Sequence, residues 1–186
     1  VNVTNPSNRT ALVAIDPGRN LGWCLMAFLH GAWTLAACGL VCSAARGLNE
    51  QAAETLTGAQ GSILRALWAM GHHPGDRPLA VCELMEFRPD DVRSNAQDLI
   101  RVATIGAAVA GMVSLEARFA TPQEWKGQVP KDVMGRRVLA ILSPGELAIM
   151  RAGLMDHAPG LHHNTLDAIG IGLWATGRME RGGVRP

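Results

Sequence analysis

Two short apolar runs, each closing on an acid, constrain this chain more than any other feature. Residues Ala11 to Ile15 are continuously apolar and stop at Asp16-Pro17-Gly18; Pro78 to Cys82 are equally apolar and stop at Glu83. A five-residue apolar run bounded by turn chemistry reads as a buried strand. Two such strands deliver carboxylates at equivalent topological positions, and a sheet with buried strands needs helices to cover it.

The remaining pattern supplies those helices. After Gly22, the stretches Trp23 to Leu29 and Trp33 to Val41 flank His30-Gly31, the signature of hairpin strands, so three antiparallel strands open the fold. Asn49 to Met70 places Ala53, Leu56, Ile63, Leu67 and Met70 at mostly helical spacing despite Gly58 and Gly61. Ser94-Asn95-Ala96-Gln97 reads as a capping box opening a helix through Val113, and Phe119-Ala120 closes a short strand. Thr121-Pro122-Gln123-Glu124 repeats the capping signal, with proline at the first helical position. Lys131 to Leu142 and Ser143 to Met150 read as short helices; Pro159-Gly160 breaks the chain before a last helix from about His163 to Arg178. The order predicts an α/β fold with a mixed sheet of about five strands, flanked by helices. Residues 1–186 are expected to form one domain, with flexible segments at 1–10 and 179–186.

Composition removes several alternatives. With 48% apolar and 18% charged residues the chain is not disordered. It has no apolar run long enough to span a membrane, and Val1 to Thr10 lack a signal peptide's basic start and apolar middle, so a soluble, cytoplasmic protein is expected. Cys24, Cys38, Cys42 and Cys82 form no Cys-x-x-Cys pair and are expected as buried, reduced thiols. A net charge of +1 is low for a nucleic-acid binder. Its distribution is less even: Arg118, Lys126, Lys131, Arg136, Arg137 and Arg151 outnumber Glu124, Asp132 and Glu146, making that stretch a candidate phosphate-binding face.

Asp16 and Glu83, joined by Asp167 from the start of the last helix, form a candidate constellation for phosphodiester hydrolysis. In-line displacement needs charge neutralised on both the attacking and leaving oxygens, which two hard divalent cations about 4 Å apart supply. Carboxylates are the ligands such cations take.

The motifs around these acids resemble one family. Ala14-Ile15-Asp16-Pro17-Gly18-Arg19-Asn20-Leu21-Gly22-Trp23 resembles the opening motif of RuvC-like Holliday-junction resolvases, and Leu79-Ala80-Val81-Cys82-Glu83 their strand ending in a metal-binding glutamate. Asn164-Thr165-Leu166-Asp167-Ala168-Ile169-Gly170-Ile171-Gly172 is similar to their C-terminal Asp-x-x-Asp-Ala helix. The resemblance covers nearly the whole chain and implies a ribonuclease H-like fold.

It also implies site residues. Asp16, Glu83 and Asp167 would hold two Mg²⁺ ions, with Mn²⁺ able to substitute. Asn164 stands where the family places an acid or histidine three residues before the last aspartate; it is either a ligand on the same helix face or the helix cap. His163 is the substitute ligand. Lys126 and Lys131, the only two lysines beside fifteen arginines, match lysines near the scissile phosphate. Phe87, or else Met85, would be the aromatic or apolar wedge in the junction, and Arg88, Arg93, Arg136 and Arg137 join the lysines as DNA contacts, with Arg101 nearby; Glu86 is the alternative acidic ligand to Glu83.

The activity implied is a crossover junction endodeoxyribonuclease of recombination and repair, nicking two symmetric strands of a four-way junction. Paired cuts call for a homodimer, with the small-residue stretch Ile105 to Gly111 as its interface or else packed on the sheet. No small-molecule cofactor and no membrane partner are expected. The alternatives are a flap- or fork-selective nuclease of the same fold and a non-cleaving module that binds branched DNA.

Overall fold

The computed structural model describes residues 10–45, 48–73, 76, 78–85, 96–114 and 116–180. Strands β1 (Ala11–Asp16), β2 (Asn20–Leu29) and β3 (Ala32–Cys42) come first, followed by helix α1 (Leu48–Ala69) and strand β4 (Leu79–Glu83). Helix α2 (Ala96–Val113), strand β5 (Ala117–Ala120) and helices α3 (Pro122–Trp125), α4 (Lys131–Ile141), α5 (Pro144–Leu154) and α6 (His162–Ala175) complete the chain; a single 3₁₀ turn, Pro159–Leu161, leads into α6.

The sheet order is β3-β2-β1-β4-β5. β1, β2 and β3 pair antiparallel, whereas β4 joins β1 in parallel and β5 joins β4 in parallel. This is the mixed, helix-flanked sheet of about five strands that the sequence predicts. The β2–β3 hairpin turns on His30 and Gly31, both at positive φ (52° and 84°), the primed-turn geometry that matches the twist of antiparallel strands.

The period-two alternation of β1 explains its continuous apolarity. Leu12 and Ala14 face a core completed by Trp125, Met134, Val138, Met150, Ile169 and Leu173 of α3 to α6. Ala11, Val13 and Ile15 face the other side, against Ala59, Ile63 and Leu67 of α1 and Ile105 and Val109 of α2. Both faces are covered, so no polar position is left until Asp16.

Thr121 and Ser143 each cap a helix through a full capping box, as the sequence indicates. The first residue of α2 lies beside 86–95, outside the described residues, so the Ser94 cap is not described. Three expectations change. Cys42 is exposed at the end of an edge strand, while Cys24, Cys38 and Cys82 are buried, and burial pushes the Cys38 and Cys82 thiols up to about 12. The last helix ends at Ala175 rather than at Arg178, which pairs with Glu146, and Met179 is buried. The Ile105 to Gly111 stretch divides: Ile105, Gly106, Val109 and Ala110 pack inward while Ala107, Ala108 and Gly111 face outward beside the exposed Ile100. Among the described residues no helix is long and apolar enough to cross a membrane.

Candidate active site

The parallel register decides where the acids go. Ile15 pairs with Cys82, so the next residues, Asp16 and Glu83, end adjacent strands side by side. Ile15 and Cys82 face the α1–α2 layer. By alternation, Asp16 and Glu83 face the opposite layer, where α6 crosses.

Helix α6 reaches that point because β2 carries no side chain in its path. Gly22 pairs with Asp16 across the hairpin, and a Cβ built on Gly22 would stand 2.1 Å from the carbonyl oxygen of Asn164. The helix is also tied down polarly: the buried Thr165 hydroxyl donates to the Gly39 carbonyl at 3.0 Å, and the Cys24 thiol donates to the Ala168 carbonyl at 3.3 Å. Asp167, 7% exposed, is thereby delivered to the sheet end that carries Asp16 and the equally buried Glu83.

Cations stand over these acids. Lys126 Nζ lies 3.8 Å from Glu83 Oε2, and Lys131 Nζ lies 3.7 Å from Asp167 Oδ2. Both lysines sit at helix boundaries, Lys126 closing α3 and Lys131 opening α4. Burial, added to by the charges of Glu83 and Asp167, holds the Asp16 carboxyl well above the usual carboxylate range. Burial also raises Glu83, against the opposing pull of Lys126 and a hydrogen bond from Trp125. A buried carboxyl raised by its acidic neighbours, as Asp16 is, is one whose ionised form a bound cation would favour.

Among the described residues, no three His, Cys, Asp or Glu side chains are already gathered closely enough to hold a metal ion. The donor set nonetheless fits a hard divalent cation. It consists of carboxylate oxygens, with the Lys126 and Lys131 ammoniums as near countercharge among the described residues.

Asn164 is not the helix cap. The cap position is Leu161, and Asn164 lies within the first turn, its Nδ2 donating to the Leu161 carbonyl at 3.1 Å. The 3₁₀ turn runs straight into the helix, which begins at His162, two residues before Asn164. His163 donates from Nδ1 to the Gly160 carbonyl at 2.8 Å, which leaves Nε2 facing outward from that bond.

A cleft of about 540 Å³ opens beside Asp167, between α4 and α6. Gly135, Leu139 and Leu166 form its apolar wall, Lys131 and Arg136 are the basic groups along it, and His163 also lines it. Arg136 is exposed and pairs with Asp132 at 3.1 Å, Arg137 is exposed on the same helix, and Arg118 of β5 pairs with Glu116 just before that strand. Phe87, Arg88, Arg93 and Glu86 lie outside the described residues. Met85 is exposed just after β4, and Arg101 is held within the fold by Asp98 and Gln51.

Sequence reasoning gave no role to Trp125, to Gly22, or to the Glu146–Arg178 pair. Trp125 is fully buried and donates its indole N–H to Glu83 Oε2 at 2.8 Å. Glu146 accepts from the Leu35 backbone N–H at 2.7 Å, from the Ser143 N–H at 2.9 Å and from Arg178. The signals were present as a tryptophan beside a lysine and a capping glutamate, but their partners lie 42 and 32 residues away.

Neither a family model nor a curated protein matches this chain. Among solved structures it is similar to Thermus thermophilus RuvC in complex with Holliday junction substrate, at 17% identity and a TM-score of 0.48, covering 89% of this chain and 91% of that one. A second Thermus thermophilus RuvC structure is similar at 18% identity and the same TM-score, covering 88% of this chain and 91% of the other. Likeness at this level does not by itself assign an activity.

Proposed function

We propose that this chain is a metal-dependent endodeoxyribonuclease that resolves four-way DNA junctions by paired symmetric nicks. The observation that carries the reading is the convergence of Asp16, Glu83 and Asp167 at one end of the sheet, with Lys126 and Lys131 within 4 Å of two of them. A purely structural carboxylate trio at a strand end would be an expensive arrangement, because each acid raises the cost of ionising the next.

Asp16, Glu83 and Asp167 would hold two Mg²⁺ ions, with Asn164 as a fourth ligand and His163 as its substitute; Mn²⁺ would serve in their place. When bound, the ions supply the charge neutralisation that in-line attack on a phosphodiester requires. The chain's own groups do the rest. Lys126 and Lys131 would place ammonium charge beside the phosphate oxygens, and a compact ammonium suits charge that develops in the transition state. Arg136 and Arg137 extend the positive face along α4, and Phe87, Arg88 and Arg93 would meet the branch point. A homodimer, paired through the outward side of α2, would present two such sites to a two-fold junction. The whole chain acts as a single nuclease domain on recombination and repair intermediates in the cytoplasm.

A labelled four-way junction incubated with the protein and Mg²⁺ should show paired nicks that leave 5′-phosphate and 3′-hydroxyl ends. Asp16→Asn should abolish cutting while junction binding persists, because phosphate contacts position the DNA independently of the metal. Cutting of flaps or forks in preference to junctions would move the substrate within the same fold. Binding without cutting in either metal would favour a non-cleaving module, a reading that draws on Asn164 already being engaged with the Leu161 carbonyl.

A further inference from the structure

Glu83 is not free to choose how it presents its carboxylate. Trp125, 0% exposed, donates its indole N–H to Glu83 Oε2 at 2.8 Å. Lys126 approaches the same oxygen at 3.8 Å while its Nζ lies 4.8 Å from the centre of the Trp125 ring. Both donors therefore engage Oε2, and among the described residues none donates to Oε1.

The indole is itself immobilised. The last residue of α3 can seat a ring of that size only because α6 has no side chain at Gly170. A Cβ there would stand 2.7 Å from Trp125 Cζ3. The Thr121 capping box fixes the start of α3 through Glu124, one residue before the tryptophan. A buried ring in one position, with a donor that cannot rotate away, is what holding a carboxylate in a single orientation needs.

We infer that Trp125 is a positioning residue: its indole N–H pins Glu83 Oε2 and so orients the carboxylate that would serve as a metal ligand. The assignment rests on the metal-dependent reading above. An indole N–H can only donate, so it holds a carboxylate oxygen in place without competing for the carboxylate's acceptor role. Lys126, with its Nζ over the same ring, meets Glu83 Oε2 from a second side.

Calorimetric titration of the full chain with Mn²⁺ alone, without DNA, tests the assignment. The proteins compared are wild type, Asp16→Asn, Trp125→Phe, and a protein carrying 3-benzothienylalanine at position 125, which keeps the bicyclic shape and lacks the N–H. Wild type should bind Mn²⁺ and Asp16→Asn should lose it. Both replacements at 125 should weaken Mn²⁺ by roughly tenfold, the scale of losses when a ligand's hydrogen-bond partner is removed. The benzothienyl protein should still melt cooperatively, and it decides the matter if Trp125→Phe does not fold. Unchanged Mn²⁺ affinity in the benzothienyl protein would overturn the role of Trp125 while leaving the metal reading intact. Absence of Mn²⁺ binding in wild type would instead overturn the metal reading itself.

Discussion

Replacing Gly22 by alanine tests whether the site depends on how closely α6 approaches the sheet. The added Cβ would stand 2.1 Å from the Asn164 carbonyl oxygen, 2.3 Å from its carbon and 2.7 Å from the Thr165 nitrogen. Ordinary contact begins near 3.4 Å, so the helix must retreat by about 1.3 Å, and all three obstacles are backbone. It cannot slide freely, because Thr165 is bonded to Gly39 and Gly172 is packed on Cys24. Two effects oppose each other. Alanine restricts the unfolded chain and should stabilise by about 0.4–1 kcal/mol, while overpacking costs about 1–3 kcal/mol. The backbone clash wins, and a loss of roughly 1–2 kcal/mol should lower Tm by about 2–8 °C for a chain of this size. Asp167 follows three residues after Asn164, so a shift above an ångström should cut junction cleavage by roughly 10²-fold. Thermal melts and single-turnover cleavage are the assays. Gly61→Ala is the control: its Cβ meets nothing within 4 Å on an exposed face of α1, so it should stabilise slightly and leave cleavage alone. Cleavage by Gly22→Ala within threefold of wild type would refute the argument that this crossing sets the site.

Three further outcomes follow from the same contacts. Lys126→Ala should slow cleavage at saturating protein by roughly 10²-fold while junction affinity falls less than threefold, as gel-shift and rate measurements can separate; equal small effects would make Lys126 a solvated lysine. Asn164→Asp should lower the Mg²⁺ concentration for half-maximal cutting, yet it forfeits the donor to the Leu161 carbonyl and should cost about 0.5–1.5 kcal/mol in a urea melt; an unchanged Mg²⁺ titration would remove Asn164 from the ligands. Burial alone would raise Glu146, but the hydrogen bonds from Arg178, Leu35 and Ser143 prevail and hold it at about 2 against an ordinary 4.5. A depressed acid contributes stability above its unfolded value, so wild type should lose stability as pH falls from about 4.5 to about 2, and Glu146→Gln should flatten that slope. Solvent screening keeps the contribution nearer 2 kcal/mol than the ~3 kcal/mol of the full shift.

The sheet and its acid-bearing ends were legible because they are local. Ala11 to Asp16 and Leu79 to Glu83 announce themselves by unbroken apolarity, His30-Gly31 by turn chemistry, and Thr121 and Ser143 by a glutamate three residues on. What was illegible is long-range. Leu35 donates to Glu146 where the β2–β3 register slips, so that Ala36 has no partner on β2, and nothing in the alternation of β3 marks that slip. The cap alternative for Asn164 fails for a related reason: Pro159-Gly160 reads as a break, whereas the proline opens a tight turn that continues into the helix. Asn164, a good cap residue by type, therefore falls inside the first turn.

The glycines of α6 follow from close packing rather than from helix propensity. A glycine inside a helix costs about 1 kcal/mol relative to alanine, and α6 carries Gly170 and Gly172, so its sequence is a poor one for an isolated helix. Each has a compensating contact. Gly172 admits the Cys24 sulfur and the Met26 side chain, which lets the helix lie against β2; Gly170 admits the Trp125 ring, which lets α3 bring an indole N–H to Glu83. Gly22 supplies the third close approach, from the sheet side. Alanine at any of the three would favour the local element and separate two surfaces that must touch. The site thus depends on three absent side chains as directly as on the three carboxylates, and the Gly170 and Gly22 contacts act on different acids. Crowding at Gly170 should disturb Glu83 and Lys126 through Trp125, whereas crowding at Gly22 should disturb Asp167 through the helix itself.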